Sequence, residues 1–272
     1  MTRNTPSENQ KKTTALEPDS SRVTNPGSSG HVNPHNTGAT LSLLQPICFP
    51  DLYYISALLR SDRLILQDTD PFSRKGHVHR GLIRTPAGTQ WINVPVPGED
   101  RGKPIGEVRL AASRTWHTKL METLAYNYRN SLYFDHYEPE IRADFATALE
   151  TEYLAGFIRP LNRRLFGYLG VEHRADWASE VKEYTPDPDE LAERLGASRL
   201  WQEQDARHYQ RQALRRETMP FTHPVYRQHF GGFEPGCCLY DLLFEFGPEC
   251  WRVIDLLNVG LGKSGIRGEK SP

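Results

Sequence analysis

Apolar positions change their spacing several times between Leu41 and Val96, and each change marks an element. Leu41–Leu44 is a continuous apolar run that stops at Gln45-Pro46 and reads as a strand. From Asp51 to Arg60 the apolar residues fall at 52, 55, 58 and 59, which is helical spacing. Pro50 stands at the entrance, where a missing N–H costs nothing. Arg63–Gln67 is a second strand, bounded by Asp62 and Asp68. A strand, a helix and a strand at this spacing predict two parallel strands joined by a right-handed crossover. Gly81–Arg84 and Gln90–Val96 are two more strands. Thr85-Pro86-Ala87-Gly88 between them predicts a hairpin, because proline presets one dihedral and glycine takes positive φ freely.

Beyond Val96 the strand signal thins. Ile105–Leu110 reads as a further strand returning to the sheet. Trp116, Leu120, Leu124 and Tyr128 recur every four residues and predict a helix, with Ser113 or Thr115 as its N-cap. Phe134–Tyr137 starts a new segment, and Glu138–Leu149 and Glu152–Leu169 read as helices. Pro160 is expected to kink or restart the second, and Gly170 to end it. Asp189–Leu195 is a short helix closed by Gly196. Ser198–Arg216 is helical by propensity, with Leu200, Tyr209 and Leu214 as sparse apolar points. Val225–Phe233 reads as extended. Leu239–Phe246 and Pro248–Leu257 are two helices parted by Gly247-Pro248. The fold class that follows is α/β or α+β. A small, mostly N-terminal sheet, with its strand–helix–strand unit and hairpin, is covered by a larger helical C-terminal portion.

Composition sets the boundaries of that domain. Residues 1–39 are Ser, Thr, Asn, Pro and Gly with scattered charge and little apolar surface, so they read as a disordered head. Residues 40–258 form a single domain, and 259–272 a frayed tail. The formal net charge is −1, from 33 basic and 34 acidic residues, which gives no general electrostatic case for DNA. No apolar run is long enough for a membrane span, and no signal-peptide core opens the chain. The cysteines at 48, 237, 238 and 250 show neither a CxxC pair nor a framework spacing, as expected of reduced thiols in a cytoplasmic protein.

The chemically capable side chains concentrate near the predicted strand ends. Asp68-Thr69-Asp70 follows a strand directly, where α/β proteins place ligand loops. Asp68 can act there as a general base, as a ligand for hydrated Mg²⁺, or as a turn cap bonded to its own backbone. Ser73–Arg80 (Ser-Arg-Lys-Gly-His-Val-His-Arg) holds three cations and two histidines between apolar stretches. Arg74, Lys75 and Arg80 suit an anionic group such as a phosphate, while a solvated basic hairpin edge is the plainer alternative. His79 titrates near neutrality when free and is the acid–base candidate. His77 and His79 would share a face in a strand, but no third metal ligand lies nearby in sequence. Gln45, at a strand end, can orient a ligand or satisfy buried backbone. No GxGxxG, Walker, GxSxG or HExxH pattern occurs, so ATP or NAD would be bound by some other means, and the cofactor is left unknown.

Several of these residues also carry a resemblance. Gln45-Pro46 with Phe49-Pro50, then Asp62, Asp68, Phe72, Arg80, Ile83 and Val94-Pro95-Val96, resemble the signature of the WbqC-like family. Trp116, Tyr128 and Tyr133-Phe134 continue the likeness. So do Tyr226-x-Gln228, Phe233-Glu234-Pro235, Asp241-Leu242-Leu243-Phe244 and Gly247-Pro248-Glu249. Proteins of that family are often encoded among genes for O-antigen or other surface polysaccharides, and a glycine-transferase role has been suggested for them. The resemblance therefore implies an aminoacyl (glycyl) transferase acting on an amino-sugar precursor, or an accessory protein that binds a sugar nucleotide or a pathway enzyme. Its partners would be a sugar nucleotide or an activated amino acid, with aminoacyl-tRNA, a thioester or an adenylate as the donor. Asp68 and His79 are then the catalytic candidates. Gln45, Arg74, Lys75, Arg80, Tyr226, Gln228 and Asp241 are the substrate-binding ones. Cys238 stands where the family usually has serine, which argues against an essential hydroxyl at that position.

The boundary of the head is open to test. A chain lacking residues 1–38 is expected to melt within a few degrees of the full chain, because so polar a segment has little to bury. A large fall in melting temperature would show that the head docks on the domain.

Overall fold

The computed structural model of the chain describes residues 38–202 and 216–258. The described residues belong to one unit. The expected head, the expected tail and most of the expected 198–216 helix lie outside the described residues.

Five strands form one parallel sheet: β1 (Ala39–Leu44), β2 (Arg63–Leu66), β5 (Asp176–Trp177), β6 (Ala197–Gln202) and β7 (Arg216–Thr218). Their spatial order is β5-β2-β1-β6-β7, with β1 at the centre. Leu41–Leu44 align with Arg63–Leu66 on one side, and Leu41, Ser42 and Leu43 with Leu200, Trp201 and Gln202 on the other. A central parallel strand is covered on both faces, which is why β1 reads as an unbroken apolar run. Leu41, Leu43, Ile65 and Leu200 pack on one face with Leu191 and Ala192 of α5 (Pro188–Arg194). Leu44, Leu64, Leu66 and Trp201 join the larger core on the opposite face. That core is built from α1 (Leu52–Arg60), α2 (Trp116–Tyr128), α3 (Phe134–Ala148), α4 (Leu154–Tyr168) and α6 (Leu239–Phe246). The fold is thus mixed α/β, as the sequence pattern implies. Three of the five sheet strands nevertheless come from beyond residue 175.

β1, α1 and β2 form the expected strand–helix–strand unit. Asp51 caps α1, its Oδ1 accepting the Tyr54 N–H at 3.1 Å. The hairpin pairs β3 (Arg80–Thr85) with β4 (Gly88–Asn93) as a separate two-stranded sheet. Its turn uses Gly88 at φ +124°, a conformation closed to residues with a Cβ. Leu82 of β3 bridges to Cys237, and its carbonyl accepts the Cys238 N–H at 2.8 Å.

Four expectations need correction. Ile105–Leu110 does not join the sheet. Ile105–Glu107 is a 3-10 turn, and Leu110 and Val108 bond instead to Glu152 and Leu154. The segment is held by the wholly buried Asp100, which accepts the backbone and guanidinium N–H groups of Arg109 at 2.9 Å. Those bonds, with one from Lys103, hold the Asp100 carboxyl well below the usual range. Ser198–Gln202 is a strand, because two flanking ladders outweigh a weak local helix propensity. Pro160 does not restart its helix but lies inside a continuous α4. Pro248–Leu257 breaks into a 3-10 turn, α7 (Trp251–Ile254) and another 3-10 turn. By contrast, Gly170 follows the end of α4 as expected, at φ +68°. Among the described residues no helix is long and apolar enough to cross a membrane.

One close approach locks the hairpin against the β1–α1 loop. A Cβ on Gly81 would sit 2.4 Å from the Cβ of Phe49, far inside contact distance. Gly81→Ala is therefore expected to destabilise the protein by about 1–3 kcal/mol through overpacking. Chemical denaturation measures this, and an unchanged midpoint would show that the loop can retreat.

Candidate functional site

The strand order reverses at β1. The chain crosses from β1 to β2 on one side, whereas β6 lies on the other. In open parallel sheets, ligands bind outside the carboxyl ends of the strands at such a point. Here the loops after β1 and β2 meet at that end. The Cys48 N–H donates to the Val78 carbonyl at 2.8 Å, and Gly76 is buried where a Cβ would lie 3.9 Å from Gln45 Oε1. The Gln45 Nε2 donates to Asp70 Oδ2 at 3.3 Å. Gln45, Asp68 and the basic octet, gathered from the 36 residues between 45 and 80, are thus drawn to one end of the sheet.

Asp68 is buried, and both of its oxygens are engaged. Oδ1 accepts the Ser179 N–H at 3.0 Å, and Oδ2 accepts the Ser179 hydroxyl at 2.6 Å. Its carbonyl accepts the Gly106 N–H at 2.8 Å. The carboxylate therefore ties the 3-10 turn Ala178–Glu180 to the end of β2. Neither Asp68 nor Asp62 pairs with Arg80, since Asp62 accepts the Thr40 N–H at 2.7 Å.

The octet is a turn rather than a strand. Gly76 N–H donates to the Ser73 carbonyl at 3.0 Å. Arg80 closes the turn from below: its Nε donates to the Gly76 carbonyl at 2.9 Å and its Nη2 to the Lys75 carbonyl. The guanidinium also lies 4.5 Å over the half-exposed Trp91 ring. Arg74 and Lys75 stand exposed, and among the described residues their charged heads make no ion pair or hydrogen bond. The histidines do not share a face. His77 is exposed against Trp91, whereas His79 is buried edge-on to Phe72. Burial, then Arg80 and Arg74, push the His79 pKa down to about 4, so its ring is neutral at neutral pH. Its Nδ1 has no partner among the described residues. Among them, too, no three His, Cys, Asp or Glu side chains converge as a metal would require.

The three downstream candidates meet one another instead. Asp241, wholly buried in α6, accepts from Tyr226 Oη at 2.9 Å and Gln228 Nε2 at 3.0 Å through Oδ2. Its Oδ1 accepts from Tyr128 Oη at 2.9 Å. Tyr128 Oη in turn accepts the Arg84 N–H at 2.8 Å. Gln228 also clasps Glu234, its amide bonded to that residue's carbonyl and N–H. Burial raises the Asp241 pKa against the three donors that lower it. Burial likewise pushes up the Cys238 thiol, which disfavours the thiolate a nucleophile needs.

Several contributors were not legible in the sequence. Ser179 and Trp91 carry no motif and reach the site through tertiary contact alone. Arg84, on β3 of the hairpin, is buried and donates to the carbonyls of Gly88 at 2.7 Å and Gly231 at 2.6 Å. Gln67 and Gln202 are buried at the ends of β2 and β6. The signal that could have found them is that each, like Gln45, directly closes an apolar run.

The chain is also similar to known proteins. It is 27% identical over 223 residues to the uncharacterized protein Rv1507c of Mycobacterium tuberculosis (strain ATCC 25618 / H37Rv), covering 77% of this chain and 94% of that protein. No solved structure matches it. The pattern that defines the WbqC-like protein family matches residues 45–253, from the glutamine that ends β1 to the last helix, and includes the basic turn and the Asp241 network. The chain belongs to the WbqC-like protein family.

Proposed function

We propose that the protein transfers an aminoacyl group, glycyl in the simplest case, to the amine of an amino-sugar precursor in surface-polysaccharide biosynthesis. The observation that carries this reading is the basic turn. Arg74 and Lys75 are exposed cations without partners among the described residues, set beside the carboxyl ends of β1 and β2. Two such cations suit the phosphate of a sugar nucleotide. Arg80 holds the turn in shape through the Gly76 and Lys75 carbonyls. Family membership supports a polysaccharide-related role.

In the transfer, the sugar amine attacks the acyl carbonyl carbon and a C–N bond forms. The bond from that carbon to the carrier oxygen or sulfur breaks, and the carrier leaves with its electron pair. The amine proton passes to a base, Asp68 or His79. His79 offers an unprotonated ring nitrogen, and a phosphate bound on Arg74 would offset one of the charges that hold its basicity down. Gln45 would orient the acceptor. In this reading Tyr226, Gln228 and Asp241 support the site from the core. A second reading is a non-enzymatic protein that binds a sugar nucleotide for a pathway enzyme. It is favoured by Asp68, whose two oxygens are already occupied by Ser179.

Mass spectrometry of protein incubated with acyl donors and a UDP-amino sugar separates the two readings. Asp68→Asn is the informative variant. An asparagine can still accept the Ser179 N–H and can donate to its hydroxyl, so folding should persist. Loss of a general base should lower product formation about 10²–10⁴-fold with binding retained. Full turnover in Asp68→Asn would leave Asp68 as a tie between loops. For the anion site, Arg80→Lys is expected to weaken UDP binding by about 1–3 kcal/mol, since lysine cannot make both turn bonds. If affinity holds while the melting temperature falls, Arg80 serves stability alone.

A further inference from the structure

The three central strands of the sheet end alike. β1 ends at Leu44 and is followed by Gln45, β2 ends at Leu66 and is followed by Gln67, and β6 ends at Gln202. Because side chains alternate along a strand, each glutamine falls on the face of the residue two before it. Those residues are Leu43, Ile65 and Leu200, which pack together on the α5 face. Register sets the spacing. Gln202 is level with Leu43, and the ladder continues past β2 through the Gln67 N–H, which donates to the Leu44 carbonyl at 2.8 Å. Gln45 and Gln67 therefore stand side by side one pleat beyond Gln202, on strands about 4.8 Å apart.

Two of these carboxamides are incompletely paired. Gln202 is 1% exposed, and among the described residues neither its Oε1 nor its Nε2 has a partner; Gln67 is 3% exposed, and its Oε1 has none among them. Leaving a buried amide unbonded opposes folding, and most buried polar groups avoid it. The positions just behind, on the same face, are leucine and isoleucine, so an apolar side chain suits this surface. Gln45 is half-buried and marks the side open to solvent.

We propose that Gln45, Gln67 and Gln202 form a carboxamide row that binds the neutral hydroxyl and amide groups of a sugar ring. This rests on the proposed function and assigns the sugar end of its substrate. A carboxamide is uncharged and both donates and accepts. It matches groups that do the same, which sugar hydroxyls and acylamino groups do and phosphates do not. The basic turn, packed against Gln45, takes the charged end. The row thus distinguishes a nucleotide sugar from its nucleotide.

Calorimetric titration of the full chain with UDP, UDP-glucose, UDP-N-acetylglucosamine and free N-acetylglucosamine tests this, together with the ligand-free melting temperature. The wild type should bind a UDP-sugar at least about tenfold more tightly than UDP, the size of one or two good hydrogen bonds. A margin for both sugars points to the hydroxyls, and one for UDP-N-acetylglucosamine alone to the amide. Gln202→Leu should erase the margin, leave UDP affinity unchanged, and melt no lower than the wild type. If UDP binds with no margin for either sugar, the row is overturned and the basic turn stands. If Gln202→Leu melts well below the wild type, the glutamine is structural and the proposal falls. If N-acetylglucosamine alone binds, in a Gln202-dependent way, and UDP does not, the row stands without the phosphate site. If no probe binds, both readings fall.

Discussion

A single buried carboxylate holds the parts of this fold in register. Asp241 is 0% exposed, and a carboxylate so placed is tolerated only when its oxygens are satisfied. Tyr128, Tyr226 and Gln228 supply three donors from α2 and from the irregular segment before α6. Through Tyr128 the network reaches the backbone of β3 at Arg84. Pieces separated by more than a hundred residues are thereby fixed to one atom group. Hydrophobic packing brings helices together without direction, whereas these bonds are directional, so they define how the hairpin sits against α6.

From that anchor the order runs outward to the site. The hairpin carries Gly81, which lets Phe49 and the β1–α1 loop approach closely. The same loop holds the basic turn through the Cys48–Val78 bond. Arg80 begins β3 and closes the turn, so the strand positions the residues proposed to bind phosphate. Rigid elements supply the geometry, and the short loops between them supply the chemistry.

Much of this was legible because it is local. The strand–helix–strand unit, the hairpin and α2 follow from the spacing of a few apolar residues. Gln45, Asp68 and the octet lie close enough in sequence for their meeting to be inferred. The misreadings arose where partners decide the outcome. Ser198–Gln202 is too rich in helix-tolerant residues to announce a strand, and only its two neighbours in the sheet make it one. Val108-Arg109-Leu110 alternates like a strand, yet Asp100 takes the Arg109 N–H that a ladder would need. The role of Ser179 was invisible for the same reason: it depends on a contact with Asp68 across more than a hundred residues.

The thiols have a practical consequence. All four cysteines are buried and none is bonded to another. Burial raises each thiol's pKa, to about 12 for Cys237 and Cys250. In the closed protein they are poor targets for an alkylating reagent, which attacks the exposed thiolate. Labelling then waits for the interior to open, and its rate becomes a clock for local unfolding. Cys48 reports on the loop at the carboxyl end of the sheet, Cys237 and Cys238 on the junction between hairpin and α6, and Cys250 on the last helix. The molecule carries native timers at the places where its loops, anchor and end meet, and they can be read without adding a probe.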